Sequence, residues 1–109
     1  VLNNIGVFQI SINELVNAEK NFYDALEIYV QLANVNPKDY LYDLACTLNN
    51  IASLQLDNNE PAKAEQSYLE VLKIYRELVS INQDTHLPHL AEVLTKIADL
   101  QYDVNAQYE

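Results

Sequence analysis

Apolar residues in the middle of the chain recur at intervals of three and four. Leu41, Leu44, Ala45, Leu48, Ile51, Ala52 and Leu54 form one such series, and Ala62, Ala64, Tyr68, Val71, Leu72, Tyr75, Leu78 and Val79 form a second. That spacing places each series on one face of an α-helix. Between them, Asp57-Asn58-Asn59 interrupts the pattern with residues that favour turns. The spacing predicts two antiparallel helices, A over about 38–56 and B over about 60–80. Asn36 is placed to cap A, with Pro37 at the first helical position and Asp39 near the positive end of the helix dipole. Asn59 is placed to cap B, with Pro61 in its first turn. At 1.5 Å per residue each helix is about 30 Å long.

The pair is repeated. Leu2-Asn3-Asn4-Ile5, Leu48-Asn49-Asn50-Ile51 and Leu94-Thr95-Lys96-Ile97 follow one another at a constant offset of 46 residues. Ala18-Glu19 matches Ala64-Glu65, and Leu26, Ile28 and Tyr29 match Leu72, Ile74 and Tyr75. Asn36 matches Asn82, and Leu44-Ala45 matches Leu90-Ala91. Roughly two positions in five are identical across the shift, the mark of a repeat architecture. Residues 1–35 read as the back part of one repeat, 36–81 as a complete one and 82–109 as the front part of a third, all in one array. In the same register a first A helix ends near Ile10, its B helix covers about 14–34, and a third A helix covers about 86–103. Glu109 would fall in the first turn of another B helix. The chain begins with Val1 rather than Met, so a longer array is expected. One helix pair cannot bury both its apolar faces, and stacking pairs solves this. An array that starts and stops on A helices has two cut faces. Leu94, Ile97 and Leu100 would then be covered by a further B helix or by a second copy.

Composition agrees with helices. Half of the chain is hydrophobic, with one Gly and three Pro, too few breakers for a loop-rich fold. No apolar run approaches the roughly 20 residues of a membrane span, and no signal peptide is visible. The formal charge is −10, with six scattered Lys and Arg. Nucleic acid is excluded as a partner on that balance, because phosphate binding needs clustered cations. The acidity either keeps the surface dissolved or steers a basic partner. Cys46 is the only cysteine, so no internal disulfide forms, which fits a reducing compartment and a cytoplasmic location.

The series Leu48-x2-Ile51-Ala52-x2-Gln55-x8-Ala64-x3-Tyr68-x2-Val71 resembles the tetratricopeptide repeat, and Leu2, Ile5, Gly6, Gln9, Ala18, Phe22 and Ala25 repeat it. In that family small residues such as Gly6, Ala52 and Ala98 allow close approach of helices A and B, Ala18 and Ala64 do so from B, and Phe22 and Tyr68 fill the space between repeats. Three features depart from the common pattern. Gln9, Gln55 and Gln101 stand where an aromatic is usual, Val30 and Arg76 stand where Pro is usual, and the period is 46 rather than 34. The longer subclass found in kinesin light chains, with a Thr-Leu-Asn-Asn-Leu-Ala-like helix A, is the nearer likeness. The resemblance implies an all-α superhelix of tandem antiparallel helix hairpins that binds other proteins.

It further implies that helix A residues line a concave groove for extended peptide. The candidates are Asn3, Asn4 and Val7 on the first A helix, and Asn49, Asn50, Ser53 and Asp57 on the second. The third contributes Thr95, Lys96 and Asp99. The second also carries Cys46 and Leu56 on that face, and the third Glu92, Tyr102 and Asp103. A carboxamide both donates and accepts, so the Asn pairs could read both backbone groups of a peptide. They could equally bond along or between helices and stiffen the stack. A clamp for a terminal carboxylate needs several cations in the groove, and Lys96 alone does not supply them.

Two functions follow from the chain: a binding module for a protein or peptide segment, neutral or basic, and a structural spacer that self-associates through its open ends. An enzyme is not expected, since no Gly-rich phosphate loop or paired His/Glu helix motif is present. No cofactor is implied. Asp84-Thr85-His86-Leu87-Pro88-His89 is the one metal-like cluster and lacks a fourth ligand, so its histidines are expected in a loop. Cys46 has no His or basic residue near it in its own repeat and is expected to pack. Tyr23, Tyr29, Tyr68 and Tyr75 are expected to fill core and inter-repeat space.

Overall fold

A computed structural model describes residues 12–107, with side chains from 14 to 103. The first predicted A helix, with Asn3, Asn4 and Val7, and the placing of Glu109 lie outside these residues. Four α-helices run in sequence: α1 Ile12–Val35, α2 Pro37–Asp57, α3 Pro61–Ile81 and α4 Gln83–Gln107. No strand occurs among the described residues. The backbone of each helix lies only against its neighbours in sequence, α1 on α2, α2 on α3 and α3 on α4. The radius of gyration is 15.4 Å, against about 13 Å for a compact domain of this size. The fold is therefore an open array of tandem helix hairpins rather than a closed bundle.

The connections explain the order. Each B-type helix passes to the next A-type helix through one residue, Asn36 or Asn82. The N–H of Asn36 closes on the carbonyl of Leu32, and that of Asn82 on Leu78, both at 2.8 Å. Each Asn then turns to extended backbone and starts the next helix. Asn82 Oδ1 accepts from the Thr85 N–H at 3.4 Å. Asn36 stands at the predicted cap position, but its side chain donates to Asp39 Oδ2 at 2.7 Å instead of capping the backbone. The α2–α3 turn differs from expectation. Glu60 is the residue before the helix, Pro61 is its first residue, and Asn59 adopts a left-handed φ of 60°. Asn is among the few residues that accept this region readily.

α4 begins at Gln83, not near residue 86, and continues to Gln107. Pro88 lies inside it. A proline at this place removes one bond, to the Asp84 carbonyl, and exposed Asp84 can leave that oxygen to water. His86 and His89 are consequently helical residues and not loop histidines.

The core is continuous across the helices and follows the predicted stripes. Leu41, Leu44, Ala45, Leu48, Ile51 and Ala52 of α2 are buried, as are Ala64, Tyr68, Val71, Leu72, Tyr75 and Leu78 of α3. Ile74 joins them, whereas Ala62 is exposed and Leu54 half-buried. Val93 and Ile97 of α4 close the far side. Ala52 and Ala64 have no accessible surface, as expected where two helix backbones come close. Ala98, the equivalent of Ala52, is exposed, because no described element lies over it. No described helix is long and apolar enough to cross a membrane.

Candidate functional site

α2 and α4 form the two walls of a groove, with α3 behind them. Their backbones do not touch, yet their side chains meet: the Tyr42 ring lies 5.8 Å from that of His86 and 5.3 Å from that of His89. His89 also stacks on Tyr75 of α3 at 5.4 Å and 22°. Two depressions adjoin at Lys96. The first, of about 360 Å³, includes Tyr42, Cys46, Asn49, Asn50, Tyr75 and Glu92 in its lining. The second, of about 310 Å³, is lined by Ser53, Leu56, Tyr68, Asp99, Leu100 and Asp103. From Tyr42 to Leu56 the α2 wall runs about 21 Å, the length of about six residues of extended chain.

The repeat register is what brings these residues together. Asn50 and Lys96 occupy equivalent places on successive A-type helices and line the same depression. Asn49 joins them, half-buried, its Nδ2 donating to the Tyr75 hydroxyl at 3.4 Å. Its Oδ1 is covered and has no partner. Ser53 and Asp99 line the second depression. Two predicted residues do not contribute. Asp57, at the end of α2, lines neither depression, and the Thr95 hydroxyl turns back onto the Ala91 carbonyl at 3.0 Å. Cys46, far in sequence from any His, shares the first depression with His89 and Lys96, contrary to its expected isolation.

Tyr42, Val93 and His89 were not nominated by the sequence. Tyr42 lies four residues before Cys46 and seven before Asn49, and His89 lies three before Glu92. Continuing each groove face by one helical turn would have reached Tyr42 and His89.

The electrostatics are one-sided. Glu92, Asp99 and Asp103 stand against Lys96 alone, so the lining carries net negative charge. Lys96 is half-buried. It pairs with Glu92 Oε1 at 3.4 Å and rests 5.9 Å above the Tyr68 ring. Burial pushes the Tyr75 phenol up to about 12, helped by the neighbouring Cys46. Cys46, beside the Tyr42 side chain, raises that phenol as well. Burial, and then the nearby His89, lower the pKa of His86, which favours its uncharged imidazole. No group of three or more His, Cys, Asp or Glu that could hold a metal occurs among the described residues.

No family model, curated protein or solved structure matches the chain. Fold and groove alone define its class: an all-α tandem helix-hairpin array with a polar, acidic furrow between alternate helices.

Proposed function

We propose that this array is a non-catalytic interaction module of tetratricopeptide type, similar to the long-repeat subclass of kinesin light chains, which holds an extended protein segment between α2 and α4. The observation that carries this reading is Asn49. One end of its carboxamide is loosely engaged by Tyr75 and the other has no partner, at the edge of a depression shared with Asn50 and Lys96. A 3.4 Å bond is long, so little is lost when the carboxamide turns to meet a peptide group. The acidic lining favours a neutral or basic segment over an acidic one. The half-buried lone Cys46 suits the reducing conditions of the cytoplasm. No cofactor takes part.

The test is calorimetry with a decapeptide selected on the array from a random library. Asn49→Ala combined with Asn50→Ala is expected to weaken it by about 1–3 kcal/mol, the cost of leaving peptide groups unpaired. Unchanged affinity, or a library that yields no binder, removes the reading.

A second reading rests on a separate observation. Leu94, Leu87 and Tyr102 of α4 are exposed, and a self-associating spacer would cover part of that face with a second copy.

A further inference from the structure

We infer that the Tyr42 end of the groove is an anchor pocket for one arginine side chain of the bound segment, which stacks on Tyr42 and is held by Glu92 and the Asn49–Asn50 carboxamides. The inference rests on the groove reading and adds to it a chemical identity for one ligand position.

Three features lead to it. The first is aromatic. Tyr42 is 39% exposed and lines the depression, and its ring packs at a tilt against those of His86 and His89, with Tyr75 stacked on His89. A fixed and partly open ring is a platform for a planar cation. The second is the balance of donors and acceptors. Glu92 is exposed, and Lys96 engages only its Oε1, at a long 3.4 Å. Asn50 is exposed beside it, and Asn49 Oδ1, covered and without a donor, joins the wall as an acceptor once its carboxamide turns off the long bond to Tyr75. The wall thus offers surplus acceptors, which a group with five N–H donors in one plane can satisfy together. The third is charge. Glu92 and Lys96 balance each other in this depression, while Asp99 and Asp103 make the adjoining one negative within a chain of net charge −10, so the groove as a whole attracts a cation. Arginine is favoured over lysine because a guanidinium is less tightly hydrated and stacks flat on a ring, whereas an ammonium is a compact, strongly hydrated charge.

The probes are N-acetyl-arginine amide, N-acetyl-citrulline amide, and a capped Ser/Gly decapeptide carrying one central arginine, lysine or citrulline. Citrulline keeps the shape and loses the charge. Titrations are followed by ¹H–¹⁵N correlation spectra of the whole chain. Capped arginine is expected to shift the Asn49 and Asn50 side-chain amides and the backbone signals of Tyr42 and Glu92, and capped citrulline is not. The arginine decapeptide should bind more tightly than capped arginine, and roughly tenfold more tightly than its citrulline twin. Glu92→Gln should remove most of that difference while the spectrum stays folded.

Arginine and citrulline decapeptides that bind the groove equally would overturn the pocket and leave the groove standing. Capped arginine that shifts these residues while the decapeptide binds no tighter would leave the pocket and overturn the groove. A lysine decapeptide equal to the arginine one overturns the choice of arginine, and no shifts with any probe overturn both.

Discussion

Gln55 shows what a single residue does in this stack. It is buried, yet both ends of its carboxamide are used: Nε2 donates to the Tyr23 hydroxyl at 3.1 Å, and Oε1 accepts from Ser67 Oγ at 2.7 Å. One side chain on α2 therefore ties α1 to α3, whose backbones do not touch. Gln101, one repeat on, also reaches back to the preceding B-type helix, where its Nε2 donates to Glu65 Oε2 at 2.8 Å. The glutamine thus takes over, by hydrogen bonds, the bridging between neighbours that an aromatic would achieve by packing. Gln55→Ala should cost about 1–3 kcal/mol, because Tyr23 and Ser67 lose their partner in a covered site. Exposed Gln101→Ala should cost under about 0.5 kcal/mol. Urea midpoints measure both, and equal losses would contradict the distinction.

At the scale of the element, helix ends are set by backbone geometry more than by side-chain capping. Asn36 and Asn82 serve as one-residue hinges, and only Asn82 caps with its side chain. The α2–α3 turn depends on Asn59 at φ 60°. Its N–H donates to the Leu56 carbonyl at 3.0 Å, and the Glu60 N–H returns to Gln55 at 2.8 Å. Asn59→Val should destabilise by about 1–2 kcal/mol, since a Cβ-branched residue crowds the carbonyl in this region. Asn59→Gly should not destabilise comparably, because glycine enters the region freely. Thermal unfolding separates the two, and a valine variant as stable as the parent would show that the turn tolerates another path.

For the whole molecule, the informative comparison is between equivalent faces of α2 and α4. Ala45 and Ala52 are fully covered and Leu48 is 9% exposed where α3 lies on α2. Their counterparts Ala91 and Ala98 are exposed, and Leu94 is 42% exposed. The two faces are alike in sequence, so the difference is whether a B-type helix lies on top. If a second copy supplies that cover, sedimentation velocity should show mass rising with concentration. Leu94→Glu should abolish the rise, since burying an unpaired carboxylate is costly. A parent that stays monomeric across a broad concentration range rules out this mode of association.

Much of the architecture was legible beforehand. The apolar stripes placed α2 and α3 to within a residue, because a 3.6-residue period over twenty positions leaves little ambiguity. The start of α4 lies three residues before the predicted one, and Pro88 does not prevent this, because a proline inside a helix loses only one bond when the freed carbonyl is exposed. The groove was half legible. Asn49, Asn50, Ser53, Lys96 and Asp99 line it as the register predicts. Asp57 does not, since it ends its helix, and Thr95 spends its hydroxyl on its own backbone.

Periodicity and the 46-residue offset determined helices, their pairing and the residues presented on equivalent faces, because these follow from local geometry repeated along the chain. Tertiary structure alone decided which faces are covered, that Tyr42 meets the two histidines across α2 and α4, and that Gln55 joins three helices. Those contacts join residues 12 to 47 positions apart, and their geometry depends on how far each helix pair rotates on the next. That rotation is fixed by packing volumes at places such as Ala52 and Ala64.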